Sequence, residues 1–150
     1  MKAIWFVLLA GCASAKSGDT LADSVRVYND GVRWGRFAVA AKHVPPQERS
    51  TFVEDADERA NDLKITDYEV VNVEAKGARE AVVQVKLSWY RESEGTLRET
   101  QALQTWERHG KTWWVVDEAR LKGHEMPGLQ EPLTKDPVPV AADQEALGQE

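Results

Sequence analysis

The sequence predicts an α+β domain, in which N-terminal helices pack on a curved, cone-like sheet of four antiparallel strands. Two observations support this prediction. Apolar residues recur every three or four positions in the first part of the chain, and alternate with polar residues from residue 68 onward. Short links that contain glycine join the alternating segments, as in an antiparallel meander. Helices followed by consecutive strands are typical of α+β rather than α/β proteins.

Two helical stretches account for the first part of the domain. Thr20 can cap the first helix, and Asp23 places an acidic group in its first turn. Pro45 and Pro46 interrupt the apolar pattern, and Pro46 suits the first position of a further helix. The apolar stripes that these two helices are expected to bury are Leu21, Val25, Tyr28 and Val32, and then Phe52, Ala56, Ala60 and Leu63.

Four strands are predicted after the helices. The clearest alternation covers 83–89, where apolar residues at odd positions are separated by polar residues at even positions. Turns are expected around Gly77, Gly95 and Gly110, because glycine between alternating segments is a turn signal. The four predicted strands are 68–74, 83–89, 100–108 and 112–117.

The composition excludes several classes of protein. The 150 residues contain 19 Lys and Arg against 25 Asp and Glu, and this net charge of −6 without a basic run is atypical of a nucleic-acid-binding protein. No apolar run approaches the roughly 20 residues that a helix needs to span a bilayer. The single cysteine excludes an internal disulfide framework. Because phosphate-binding, nucleophile-elbow and paired-cysteine motifs are absent from the sequence, we expect no cofactor.

The N-terminal residues have the parts of a bacterial export signal. Lys2 provides a basic start, residues 4–10 are apolar, and small residues follow. The quartet Leu9-Ala10-Gly11-Cys12 resembles the lipobox of bacterial lipoproteins. That resemblance implies cleavage before Cys12 and acylation of its thiol and of the new amino terminus. In the alternative interpretation, Cys12 is a buried free thiol after an ordinary apolar segment.

The lipobox resemblance divides the chain into four parts. Residues 1–11 are the predicted signal peptide, 12–19 a lipidated tether, 20–121 the folded domain, and 122–150 a tail. The tail is predicted to be disordered because it is acidic and rich in proline. Its alternative role is that of a docking peptide for a partner.

Acylation implies a location in the bacterial cell envelope. The bilayer is the expected partner through acylated Cys12, since two or three acyl chains hold a protein stably on a membrane. Ala13 after the cysteine favours the periplasmic side of the outer membrane over the inner membrane.

The last two predicted strands resemble the closing hairpin of the nuclear transport factor 2-like, or cystatin-like, superfamily. The matching stretch runs from Trp106 through a turn at Gly110 to Trp113, Trp114 and two valines. The resemblance implies that the helices lie across the concave face of the sheet and form a cone. The cone is an enzyme pocket, a binding pocket or a packed core in different members, so the resemblance implies no chemistry by itself.

Aromatic residues are the candidates for a binding surface or pocket. Neighbouring tryptophans on a strand must point to opposite faces of the sheet, so one of the pair 113–114 enters the core and the other does not. An aromatic residue in the first helical stripe is expected in the core, with its hydroxyl at the rim. The candidate residues are Tyr28, Trp89, Trp106, Trp113 and Trp114.

We expect a non-catalytic domain that binds an envelope protein or an apolar small molecule. Some members of the superfamily isomerise ketosteroids, so the resemblance also implies the alternative of a small enzyme of that type. In this alternative Tyr28 donates to a developing oxyanion and Asp67 or Asp117 is the base. A third hypothesis is a structural subunit that assembles through its sheet face. An open pocket with a buried carboxylate of raised pKa would favour the enzyme, and an open apolar pocket without such a group would favour a ligand carrier. A filled cone with an exposed apolar sheet face would favour the assembly subunit.

Metal binding is not indicated by the sequence. The three histidines, His43, His109 and His124, are too scattered to form a ligand set. The acidic run 54–58 lacks the glycine and the later glutamate of a calcium loop. We therefore expect this run to be a solvated helix face.

Replacement Cys12→Ser tests the lipoprotein hypothesis. Serine has no thiol that can receive a diacylglyceryl group, so we expect an uncleaved variant that is released from membranes. Metabolic labelling with a fatty acid should mark the wild type and leave the variant unlabelled. Ser14→Ala, a change at a neighbouring position of the predicted tether, should be labelled like the wild type. Membrane attachment of Cys12→Ser would contradict the hypothesis.

Overall fold

A computed structural model describes residues 18–132 of the chain. The predicted signal peptide, Cys12, most of the tether and the final part of the predicted tail lie outside the described residues. Three helices pack against a four-stranded antiparallel sheet that does not close, so the α+β prediction is confirmed. Within 18–132, no helix has the length and apolar character needed to cross a membrane.

The elements follow the order that the sequence predicts. The helices α1, α2 and α3 are Leu21–Arg33, Phe37–Ala40 and Arg49–Arg59, and the short 3-10 turns Ala41–His43 and Pro46–Glu48 connect α2 to α3. The strands β1 to β4 are Leu63–Ala75, Glu80–Arg91, Arg98–His109 and Thr112–Gly123. Each strand pairs with the next in a simple meander, and every strand is longer than its predicted segment.

The start of α1 is fixed in two ways. The Thr20 hydroxyl accepts a hydrogen bond from the backbone N–H of Asp23 at 3.1 Å, which satisfies one of the free donors of the first turn. Just before the helix, the Asp19 N–H donates to the Lys111 carbonyl at 3.0 Å, so the chain is held against the β3–β4 turn. The predicted apolar stripe of α1 then faces the core along its length.

Helix α3 ends earlier than the sequence predicts. The apolar spacing assigns Leu63 to the helix, but the helix ends at Arg59 and Leu63 is the first residue of β1. The Asp62 carboxylate explains the difference, because it accepts hydrogen bonds from the Arg91 guanidinium at 2.7 Å and from the Ser93 N–H at 2.8 Å. These bonds tie Asp62 to the end of β2, and the chain leaves the helical path.

The core lies between the helices and the concave face of the sheet. Alternate residues of β2 from Ala81 to Trp89 are buried, as the period-two pattern of this strand predicts. Trp106 is fully buried at the centre, and its ring meets the Tyr28 ring edge-on at a centroid distance of 5.7 Å. The helix and the sheet are therefore in direct aromatic contact.

The chain after β4 packs against the domain. The Arg120 N–H donates to the Gln130 carbonyl at 2.8 Å, and Met126 is buried in the core. Packing against the domain therefore continues to Gln130, beyond the boundary after Leu121 that the composition predicts. A proline- and glycine-containing stretch of this kind looks like a tail in the sequence, but its apolar residues cover the core.

Met126→Ala tests whether this segment contributes to the core. Removal of a buried methionine side chain is expected to lower the free energy of unfolding by about 2 kcal/mol, measured by urea denaturation. The control Leu97→Ala shortens a side chain that is 63% exposed, and should change the free energy by less than about 0.5 kcal/mol. If Met126→Ala is as stable as the control, the segment does not pack on the core in solution.

Candidate functional site

A cavity of about 320 Å³ lies between α1, α3 and the sheet. This volume is at the lower end of the range for small-molecule sites. Trp34, which is 63% exposed, stands at the rim, and residues 126–129 form one side. The apolar part of the wall includes Val32, Phe37, Ala56, Ala60, Leu63, Ile65, Leu87, Met126, Pro127 and Leu129.

A tyrosine–glutamate pair provides the polar part of the wall. The Tyr28 hydroxyl of α1 donates to the Glu118 carboxylate of β4 at 2.8 Å. The Gln104 amide of β3 donates to the other oxygen of that carboxylate at 3.4 Å, and to the Asn29 side chain at 2.9 Å. One hydrogen-bond network therefore joins α1 to two strands of the sheet.

A β-bulge in β4 turns Glu118 toward the cavity. In the pairing of β3 with β4, Val116 is an extra residue between Val115 and Asp117. Regular alternation would place Asp117 on the same face as Val115, which is buried. The extra residue reverses the alternation, so Glu118 faces inward and Asp117 is exposed.

The two acids that the sequence suggested as bases do not face Tyr28. Asp117 is exposed, and Asp67 is mostly in solvent, where it pairs with Arg33 at 3.1 Å. The carboxylate beside the Tyr28 hydroxyl is that of Glu118, which the sequence analysis missed. A period-two pattern contains no signal for the extra residue of a β-bulge. The sequence therefore did not predict that Glu118 faces the cavity.

Burial controls the protonation of the pair. Desolvation raises the pKa of the Glu118 carboxyl above its ordinary value, although the hydrogen bonds from Tyr28 and Gln104 oppose this shift. Burial and the adjacent Glu118 carboxylate raise the pKa of Tyr28 well above its ordinary value. The positive charge of Arg59 opposes the rise in both pKa values, so its guanidinium acts electrostatically on the pair.

Arg59, at the end of α3, brings that positive charge into the wall of the cavity. Its guanidinium lies against Gly128, where a Cβ atom would be 2.5 Å from Nε. Gly128 also has a φ of +91°, which residues with a side chain rarely adopt. A side chain at position 128 would be strained by this φ and would displace the Arg59 side chain from its place.

Of the five aromatic candidates, Tyr28 lies in the wall of this cavity. Trp89, Trp106 and Trp113 are buried core residues, and Trp89 also borders a more open cleft that shares residues 126–129 with this cavity. Trp114 lies on the opposite face of the sheet from Trp113, as expected for neighbours on a strand. Among the tryptophans of residues 18–132, Trp34 alone lines this cavity, and it was not a candidate in the sequence analysis.

The histidines have separate structural surroundings. His43 is buried, with Nδ1 3.0 Å from the Trp113 carbonyl oxygen. His109 stacks on the Trp114 ring at a centroid distance of 4.2 Å. Within the described part of the chain, no group of three or more His, Cys, Asp or Glu side chains is arranged to hold a metal ion.

Comparisons with known proteins identify the fold. No protein-family profile and no curated protein matches the sequence. A ketosteroid isomerase-like protein from Erwinia carotovora atroseptica has a TM-score of 0.58 at 11% identity, over 72% of this chain and 98% of its own. A SEC-C motif containing protein from Rhodopseudomonas palustris has a TM-score of 0.58 at 12% identity, over 67% of this chain and 77% of its own. At these identities the likeness shows the fold alone, and it supports the nuclear transport factor 2-like fold that the closing hairpin indicates.

Proposed function

We propose that this domain binds a small, largely apolar molecule in the cavity between its helices and its sheet, without changing it chemically. The observation that supports this most directly is the cavity itself, a preformed space of about 320 Å³ with mainly apolar walls. Protein interiors are ordinarily packed with few voids larger than a water molecule. A domain that served only for assembly would have no need to keep this space open.

Tyr28 and Glu118 supply the polar contacts for such a ligand. A few polar groups in an apolar pocket fix the orientation of the bound molecule. A ligand oxygen can accept the Tyr28 hydroxyl in place of Glu118. The Glu118 carboxylate, whose pKa burial raises, can accept a hydrogen bond from a ligand hydroxyl or amine.

The same pair argues against acid–base catalysis in this arrangement. A site of the ketosteroid-isomerase type places a base beside one atom of the substrate and a separate donor beside the developing oxyanion. Here Tyr28 and Glu118 are hydrogen-bonded to each other at 2.8 Å. Among the described residues, Glu118 is the single carboxylate in the wall of the cavity. In this arrangement, Glu118 and Tyr28 therefore do not contact two different atoms of a bound substrate as a separate base and a separate donor.

A small acid–base enzyme is the second candidate function. The feature that favours it is the carboxyl of Glu118, whose pKa is raised by burial within a cavity. In this candidate Glu118 is the base and Tyr28 the hydrogen-bond donor, once the substrate has separated the two groups. Binding without chemistry is the preferred function because it needs no such rearrangement.

We also propose that acyl chains on Cys12 attach the domain to the bacterial envelope, on the periplasmic side of the outer membrane. The lipobox-like quartet that ends at Cys12 supports this location. The described domain begins at Gly18, and a fully extended chain between these residues reaches about 20 Å. The anchor would keep the binding domain close to the membrane, where an envelope protein is the alternative partner.

Ala56→Phe tests the cavity as the binding site. Ala56 is 6% exposed and lines the cavity from α3, so a phenyl ring at this position would occupy the space of the ligand. We expect the wild type to enhance the fluorescence of the neutral apolar probe N-phenyl-1-naphthylamine. Ala56→Phe should weaken the binding of this probe about tenfold, a difference of ~1.4 kcal/mol.

The matched control is Ala38→Phe, which makes the same change at an exposed position of α2. It should bind the probe like the wild type. Circular dichroism of both variants establishes that they are folded. Equal binding by Ala56→Phe and the wild type would contradict the proposal, because the probe would then occupy another surface.

Deuterium exchange at the carbon next to a carbonyl group separates the two candidate functions. A domain that binds without chemistry should leave the exchange of 2-tetralone in heavy water, followed by NMR, at the rate of the buffer. Glu118→Gln and the control Glu107→Gln, a change on β3 outside the cavity wall, should also leave this rate unchanged. Accelerated exchange that is lost only in Glu118→Gln would establish the enzyme instead.

A further inference from the structure

The wall of the cavity has an excess of positive charge. Among residues 18–132, three basic side chains, those of Arg33, Arg59 and Lys64, line it together with one acid, Glu118. In a chain with a net charge of −6, this is a local reversal of sign. A concave wall with an excess of positive charge attracts negatively charged ligands. A basic side chain can bind such a ligand only if it is not already paired with another group of the protein.

Two of the three cations are already engaged. The Arg33 guanidinium pairs with Asp67 at 3.1 Å. The Lys64 ammonium donates to the Ala60 carbonyl at 2.6 Å and lies 3.7 Å from Glu92. Arg33 and Lys64 therefore already have partners within the protein and do not require a ligand to balance their charge.

Arg59 differs from the other two. None of the ion pairs and none of the side-chain hydrogen bonds found within 18–132 uses its guanidinium. Glu118, the acid of the same wall, is held by Tyr28 and Gln104. The guanidinium lies close to Gly128, and its N–H donors remain for a bound molecule.

We infer that the cavity takes a small carboxylic acid with an apolar body, whose carboxylate pairs with the Arg59 guanidinium. This inference rests on the proposed binding function and adds the chemical class of the ligand. A planar guanidinium matches a carboxylate through two parallel hydrogen bonds, which gives both strength and orientation. The apolar body of the acid then lies against side chains such as Val32, Leu87 and Met126.

Glu118 does not cancel this preference. Its carboxylate accepts hydrogen bonds from Tyr28 and Gln104, which disperse its negative charge. Burial raises the pKa of Glu118, and a second carboxylate nearby would raise it further. Glu118 thus has hydrogen-bond partners of its own, whereas no ion pair or side-chain hydrogen bond found within 18–132 uses the Arg59 guanidinium.

A series of three ligands with one chain length and different head groups tests the inference. Octanoate, octan-1-ol and octylammonium are used to displace N-phenyl-1-naphthylamine from the full chain. We expect octanoate to bind about tenfold more tightly than octan-1-ol, and octylammonium to bind more weakly than either. This comparison uses the wild type alone and does not depend on the folding of a variant.

Two variants then assign the preference to one residue. Arg59→Gln should reduce the affinity for octanoate about tenfold and leave that for octan-1-ol unchanged. Lys64→Gln removes a cation of the same wall that already has partners, so the ratio of the two affinities should stay as in the wild type. An equal loss in both variants would overturn the assignment, because it would reflect net charge rather than a pair with Arg59.

The failure of this inference is distinct from the failure of the proposed function. Equal affinities of the wild type for octanoate and octan-1-ol would overturn the carboxylate inference and leave the cavity as a binding site. Probe binding that is insensitive to Ala56→Phe would instead remove the cavity as the binding site, and with it the basis of both proposals.

Discussion

The buried hydrogen-bond network between α1 and the sheet is the interaction on which the cavity depends. Asn29 and Gln104 bond to each other in both directions, and Gln104 also accepts a hydrogen bond from the Trp106 ring at 3.3 Å. A buried polar group without a partner costs about 1–3 kcal/mol, so these side chains strongly favour one placement of the helix over the strands. Apolar packing alone restricts the placement of a helix on a sheet less strictly. The network therefore sets the position of α1, and with it the depth of the space beneath.

Irregular pairing at both sides of the sheet gives the cavity its shape. The pairing of β2 with β3 at the centre is regular, whereas the pairings of β1 with β2 and of β3 with β4 each contain two register shifts. Bulges bend a strand and increase its twist. The outer strands thus curve around a regular centre, and one of the same bulges turns Glu118 inward. β-Bulges therefore account both for the curvature of the outer strands and for the polar side chain of Glu118 in the cavity wall.

The spacing of apolar residues predicts the order and type of the helices and strands, because each element buries one face. It places Tyr28 in the core and separates Trp113 from Trp114 without any knowledge of their neighbours. It fails at Leu63 and at Glu118, where a distant hydrogen bond and an extra residue change the path of the chain. The end of α3 and the bulge in β4 both depend on contacts between different elements. The apolar pattern of a single segment carries no information about such contacts.

The hydrogen bond between Asp19 and Lys111 has a consequence for access to the cavity. It holds the beginning of the domain at one end of α1, while the residues of this helix in the cavity wall belong to its other half. The 13 residues of the helix extend about 20 Å. The rim at Trp34 therefore lies at the end of α1 opposite the point where the described chain begins. A ligand that passes Trp34 on its way into the cavity does not have to pass the contact between the N-terminal residues and the β3–β4 turn.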